Sequence, residues 1–401
     1  MGFERTLETE TTDLSDVARL VVDSFGAAPC AVVGAARQHV GGAEDAPLGG
    51  PPRGWRFGWG AAGVLWRVPP EGATGPPGRA APRATAQAIF DLASLTKPVV
   101  ALAMARLQRA GALDRHEPLG AFLPELAKTS SGDVSLDLLS AHRAGLEAHV
   151  PFFVEDAEAK QPTKDAVLLR AAEARRTDCR GRPPDGGFPP VYSDLGYMLV
   201  GEALARRVGR PLDEVIAAEV AHPLGLILGS VRHLRRREPL ALRRIVPTED
   251  VAWRGGVLCG CVHDENAWVL EGEGTAGHAG LFSDAWSVVR LGTQVLDAWS
   301  GRKDTWLSHD DLAPLVAPRP GGTHAAGFDW RSEANPSSGA RFGPQTFGHL
   351  GFTGTSIWLD PGAELVGVLL TNRVHPTRDH IAIRRARPAA YDGVFRALSD
   401  D

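Results

Sequence analysis

The sequence predicts a mixed α/β (α+β) fold in which strands near both chain ends flank a long helical middle. Three observations carry this. Apolar runs of strand length occur at residues 29–35 and 55–66. Two more, at 355–359 and 365–370, are joined by Asp360-Pro-Gly-Ala, whose Pro and Gly suit a hairpin turn. Between these pairs the apolar spacing is mostly helical, broken by loops rich in Gly and Pro. With 43% hydrophobic and 23% charged residues among 401, the chain has enough apolar content for a large core.

In chain order, Val17, Leu20, Val21 and Phe25 fall at helical spacing ahead of the first strand. Residues 67–84 read as a loop. From 95 to 110 the sequence is almost purely apolar and is closed by Gly111 as a stop signal. A helix that is apolar on every side is buried on every side. Further helices are expected at 135–141, 164–176, 194–208 and 211–221, forming a helical subdomain, and another at 285–298. The strand at 365–370 is apolar on both faces, with Val366, Val368 and Leu370 on one and Leu365 and Leu369 on the other, so it belongs inside a sheet covered on both sides. A last helix near 378–398 is expected to be interrupted at Pro388.

Composition excludes several functions. Forty-three basic against 48 acidic residues give a net charge of −5, too little positive field to hold nucleic acid. No stretch reaches the ~18 apolar residues of a membrane span, and the first residues lack the pattern of a signal peptide, so a cytoplasmic location is expected. Cys30, Cys179, Cys259 and Cys261 are too few for a disulfide framework, and Cys259-Gly-Cys261 has one spacer where zinc knuckles use two. All four are read as buried free thiols.

The chemistry concentrates in three places. Ser94-Leu-Thr-Lys97 opens the apolar helix. Three residues are nearly one helical turn, so the Lys97 amine stands beside the Ser94 hydroxyl. A serine needs a base to become a nucleophile, and desolvation is expected to pull Lys97 well below the free value of ~10.4 so that it serves as one. The plainer alternative is an N-cap serine with a surface lysine. A second Ser-x-x-Lys, Ser300 to Lys303, falls in a polar helix exit where its amine would stay hydrated. Next, Tyr192-Ser-Asp194 leads into a helix; near an ammonium, Tyr192 would have its pKa lowered and could shuttle protons, while Asp194 is either a cap or a partner for Lys97. Last, Gly348-His-Leu-Gly-Phe-Thr-Gly-Thr355 combines His349 with glycines that let a ligand approach the backbone. Its Phe352 N–H can donate to an oxyanion; a β-bulge with a hydrogen-bonded histidine is the alternative.

Together and in this order, these three pieces resemble the penicillin-recognising serine hydrolases: class C β-lactamases, D-alanyl-D-alanine peptidases and related esterases and amidases. Phe90-Asp-Leu-Ala-Ser-Leu-Thr-Lys-Pro98, Leu138-Leu-Ser-Ala-His-Arg-Ala-Gly-Leu146, Val262-His-Asp-Glu-Asn-Ala267, Gly277-His-Ala-Gly-Leu-Phe-Ser283 and Leu369-Leu-Thr-Asn-Arg-Val-His-Pro376 look like the family's non-β-lactamase branch. The resemblance implies a β-lactamase/transpeptidase-like architecture: one domain over 1–401, with an antiparallel sheet and helices on both faces from 1–92 and 280–401, and a mainly helical lobe at 93–279. It implies Ser94 as the acylated nucleophile, Lys97 and Tyr192 sharing proton transfer, the N–H groups of Ser94 and Phe352 as oxyanion hole, and Asp194, His349 and Gly351 lining the substrate site.

Two departures qualify that picture. Asp194 stands where the pattern has Asn and, ionised, can only accept hydrogen bonds. His349 stands where β-lactamases have a lysine for the drug's carboxylate and is mostly neutral near pH 7. Arg373 and Arg378, shortly downstream, are candidates to restore an anion contact. The resulting expectation is an esterase or amidase acting through an acyl-enzyme on a small ester or amide, peptidoglycan fragments among the candidates. No cofactor and no metal are expected: His142, His263 and His278 lie in Gly-rich contexts that suit loop pinning. Alternatives are a penicillin-binding-like receptor that has lost turnover, a β-lactamase, or a metal-dependent hydrolase built on His263, Asp264 and His278.

Overall fold

The computed structural model describes residues 11–38, 54–70, 81–302 and 305–399. Most of the loop expected at 67–84, and Lys303 of the second Ser-x-x-Lys, lie outside the described residues. A seven-stranded sheet forms the centre, in the order Thr12–Asp13, Trp55–Gly63, Cys30–Gln38, Leu365–Thr371, Ser356–Asp360, Phe347–Leu350, Asp329–Trp330. N-terminal and C-terminal strands meet where Val33 pairs with Leu369 and Gly34 with Val368. The sheet is antiparallel except at its edge, where Thr12–Asp13 runs parallel to Trp55–Gly63.

The two-sided apolar strand behaves as its pattern requires. Val366, Val368 and Leu370 point into the larger core with Val288, Val289 and Val295 of the helix Ala285–Trp299. Leu365 and Leu369 face the opposite layer, with Val17, Val21 and the C-terminal helix Ile383–Leu398. That last helix is not interrupted at Pro388 but runs through it. The ring costs one main-chain bond, and Ala386, Ala390, Tyr391 and Val394, packed against the sheet, hold the helix together across the gap.

Between the two halves of the sheet in the chain, the helices Leu136–Ser140 and Lys164–Glu173 pack on Asp194–Val208, which with Leu212–Ile216 packs on Thr96–Arg109, a helix buried from Thr96 through Ala105. Among the described residues no helix is long and apolar enough to cross a membrane. All four cysteines are free, but only Cys30 and Cys179 are buried; Cys259 is exposed and Cys261 half-buried, because the 259–261 segment follows a short surface hairpin and not a core strand.

Candidate active site

Ser94 is presented by a strained turn. Ala93 has a φ of +47°, a left-handed conformation that residues with a Cβ seldom adopt. The buried Asp91 carboxylate holds it there: Oδ1 accepts the Ala93 N–H at 2.8 Å and Oδ2 the His263 N–H at 2.7 Å. Ser94 then lies in a short 3-10 turn, Ala93–Leu95, directly ahead of the helix Thr96–Arg109. Lys97, one turn on, is completely buried. Its Nζ donates to Ser94 Oγ at 2.9 Å, to Asp194 Oδ1 at 2.7 Å and to the His278 carbonyl at 3.4 Å. Three protons meet three acceptors, which is an ammonium fully used.

That pairing corrects an expectation. Burial does act to lower Lys97, but the Asp194 carboxylate and Tyr192 outweigh it and hold the amine above its ordinary value. At rest Lys97 is an acid. Asp194 is correspondingly held far below the usual carboxylate range: burial would raise it, and Lys97 with His149 more than offsets that. Its Oδ2 lies 3.6 Å from His149 Nδ1.

Tyr192 places its ring 4.7 Å from Lys97 Nζ, with its phenol in hydrogen-bonding reach of Ser94 and Lys97. The expectation that the ammonium would lower this phenol is also overturned. Burial dominates and pushes Tyr192 up to about 12, so the group is a neutral donor. His142 packs behind the ring at 4.6 Å, and its Nδ1 accepts the Ser193 N–H at 3.0 Å.

The third segment leaves the sheet at His349, on the strand Phe347–Leu350. Its Nδ1 faces the Leu350 carbonyl at 2.9 Å, and burial pushes the ring below its ordinary pKa. After it the chain crosses over the Ser94 turn. Thr353 Oγ1 donates to the Asp91 carbonyl at 2.8 Å and Thr355 Oγ1 to the Leu92 carbonyl at 3.0 Å. The crossing is so close that a Cβ on Gly351 would sit 2.0 Å from Thr355 Oγ1 and 2.7 Å from the Leu92 carbonyl oxygen, which only glycine avoids.

These pieces line one cavity of about 640 Å³, shared by Ser94, Tyr192, Asp194, His349, Gly351 and Phe352. Its lining also carries Arg373, Arg378, Arg384 and Arg387, of which Arg373 and Arg378 stand over the Phe352 ring. Arg378 does not offer the open anion contact expected of it: its Nε binds Glu249 at 2.6 Å and its Nη2 binds Glu265. Among the described residues, the Arg373 guanidinium donates to the carbonyls of Phe352, Arg378 and His380 and to no carboxylate. Arg387 is buried; among the described residues its Nε has no acceptor and its side chain makes one bond, a long 3.4 Å, to the Thr355 carbonyl. Burial pulls it down to about 10.

The histidines of the metal alternative part company. His263 Nε2 pairs with Glu249 at 2.9 Å and His278 Nε2 with Asp264 at 2.8 Å. Among the described residues no three metal-binding side chains converge. Sequence reasoning missed His149, Arg387, Asp91 and the Asp329–His324 pair, whose atoms are 2.6 Å apart. Asp91 lies inside a quoted motif, but nothing in its spacing signals that it holds a turn; His149 meets Asp194 only through a long-range contact that no local pattern encodes.

Comparison with known proteins adds the family. The family model described as Beta-lactamase matches residues 51–391. The chain belongs to the Beta-lactamase family. It is 28% identical over 317 residues to a putative D-alanyl-D-alanine carboxypeptidase of Salmonella typhimurium strain LT2, covering 73% of this chain and 71% of the relative. Among solved structures it resembles EstCE1, a hydrolase with promiscuous acyltransferase activity, with a TM-score of 0.64, 20% identity and coverage of 94% and 97% of the two chains. A class C β-lactamase of Rhodobacter sphaeroides gives a TM-score of 0.65 at 19% identity, covering 96% and 99%. This Beta-lactamase family is one of serine hydrolases, and the α/β architecture is theirs.

Proposed function

We propose that the protein hydrolyses a small carboxylic ester or amide through an acyl-enzyme on Ser94. One observation carries the reading: the Ser94 hydroxyl, at the surface of the 640 Å³ cavity, lies 2.9 Å from a buried Lys97 that is itself 2.7 Å from Asp194. Because Lys97 starts as an ammonium, it takes the serine's proton only while passing one of its own to Asp194. The Oγ lone pair bonds to the carbonyl carbon, and the C=O π pair moves to oxygen, where the Ser94 and Phe352 N–H groups receive it. Collapse expels the leaving group. The neutral Tyr192 phenol protonates it and regains a proton from Lys97 as Asp194 returns its own. Water repeats the sequence on the acyl ester.

Arg373 and Arg387, charged and without a carboxylate partner among the described residues, make a substrate bearing a carboxylate the better fit, in keeping with a relative whose name is putative D-alanyl-D-alanine carboxypeptidase. A fluorophosphonate probe tests the reading directly. Labelling of the wild type and not of Ser94→Ala is expected; labelling independent of Ser94, or none, overturns it. The Lys97–Asp194 pair also favours a second reading, a receptor that acylates and turns over slowly; a burst of one equivalent of p-nitrophenol without steady turnover would select it.

A further inference from the structure

The Lys97–Asp194 pair is sealed from water on the lysine side and open on the other. Asp194 Oδ1 is taken by Lys97, while Oδ2 faces the imidazole of His149, which is about half exposed. The placement is built in. The Asp194 N–H donates to the Ala148 carbonyl at 3.1 Å and the Ser193 hydroxyl to the Glu147 carbonyl at 2.6 Å. Residues 147–149 are therefore clamped to the start of the helix Asp194–Val208, and His149 is held over the carboxylate at the cavity wall.

We propose that His149 is a positioning residue that decides whether Asp194 can accept the proton displaced from Ser94. This rests on the acylation chemistry proposed above. As an imidazolium, His149 faces Oδ2 with a positive charge and pins Asp194 as a carboxylate, so Lys97 keeps all three protons and Ser94 has no base. As a neutral imidazole it removes that charge, and in the tautomer with Nδ1 unprotonated it can receive a proton from Asp194 Oδ2. One proton then moves from Ser94 Oγ to Lys97 Nζ, one from Lys97 to Asp194 and one from Asp194 to His149 at the solvent edge, so that Lys97 and Asp194 keep their resting charges while the negative charge of the addition lies on the carbonyl oxygen; the protons return by the same path when the leaving group departs.

The surroundings of His149 fix the direction of the switch. Asp194 is the nearest group and raises its pKa, and Asp264 and Glu265, at the start of the helix Glu265–Glu271, act in the same sense. Arg378, which pairs with Glu265, is matched by that carboxylate and by Glu249. His149 therefore changes charge above the ordinary value of about 6.5, and acylation is slow below that point and fast above it.

The test is the rate of fluorophosphonate labelling of Ser94 against pH, between about 5.5 and 8.5, in wild type, His149→Gln and His149→Ala. Wild type is expected to lose labelling rate about tenfold per pH unit below an inflection above about 6.5. Both variants are expected to lose that inflection and hold a near-constant rate. Because His149 is half exposed the variants should fold, which a thermal melt verifies; a purely structural role would move the melt and leave the pH profile in place. Retention of the wild-type inflection in both variants overturns the inference, as does a wild-type profile without one. Absence of Ser94-dependent labelling at every pH overturns the acyl-enzyme reading itself, a distinct result.

Discussion

The Thr353 hydroxyl donates to the Asp91 carbonyl across 2.8 Å, joining the segment after His349 to the turn that presents Ser94. The two residues are 262 apart in the chain, yet this bond and its neighbour from Thr355 to Leu92 set how Phe352 and Ser94 face the same cavity. The oxyanion hole proposed above, assembled from two distant backbone amides, depends on such ties, since no side chain can be rotated to repair a misplaced N–H.

Thr353→Val keeps the shape and removes the bond. Thr353 is buried, and leaving the Asp91 carbonyl short of a donor should cost about 1–3 kcal/mol. In urea denaturation the variant should be destabilised by that amount. Ester turnover should fall through kcat more than KM; an unchanged kcat would mean that the crossing stays in register without the bond.

Asp194→Asn removes the proton acceptor and the counter-ion together. Without the carboxylate, burial is left to push Lys97 down, so its free-base form becomes accessible as pH rises. Ser94 labelling near pH 7 should drop by about a hundredfold and recover toward alkaline pH. A rate at neutral pH equal to that of wild type would take Asp194 out of the proton path.

Arg387→Met tests the arginine lining of the cavity. A buried guanidinium without a carboxylate is costly to fold around, so the variant should be at least as stable as wild type in a thermal melt. Its KM should rise about tenfold for an ester bearing a carboxylate and stay level for a neutral one. Equal effects on both substrates would refute an anion-recognition role.

Acid stability follows from the buried imidazoles. Burial pushes His142 down to about 3, and His349 and His375 also lie below their ordinary values. Each binds a proton in the unfolded chain below about 6.5 and not in the folded one until its lower pKa is reached, so unfolding becomes easier as pH falls through that window, by about 1.4 kcal/mol per unit for each such histidine. His142 has a φ of +61°, which asparagine tolerates, and an amide oxygen can replace Nδ1 as acceptor for the Ser193 N–H. His142→Asn should therefore lessen the pH slope of the urea midpoint while the fold persists. An unchanged slope would mean that His142 already takes up its proton in the folded state.

Substrate preference follows from His349. A buried ring pushed below its ordinary pKa offers no positive charge to a drug's carboxylate. The protein is expected to turn over a p-nitrophenyl ester far faster than nitrocefin in parallel assays; the reverse order would show that Arg373 and Arg387, which line the same cavity, supply the charge that His349 does not.

Much of this was legible in the chain itself. The apolar run at 95–110 requires burial, the two-faced strand at 365–370 requires a covered sheet, and the spacing of Ser94 and Lys97 brings hydroxyl and amine together on any helix. Each of these depends on local periodicity, which the sequence carries within a few turns. What periodicity cannot carry is charge at a distance. Lys97 was expected to become a base because its helix is apolar, yet its protonation is governed by Asp194, 97 residues away, and that of Asp194 in turn by the residues facing its two oxygens. Burial and a single opposite charge pull a lysine in opposite directions with comparable strength. Which prevails is a matter of a few ångströms, and only the tertiary structure sets those.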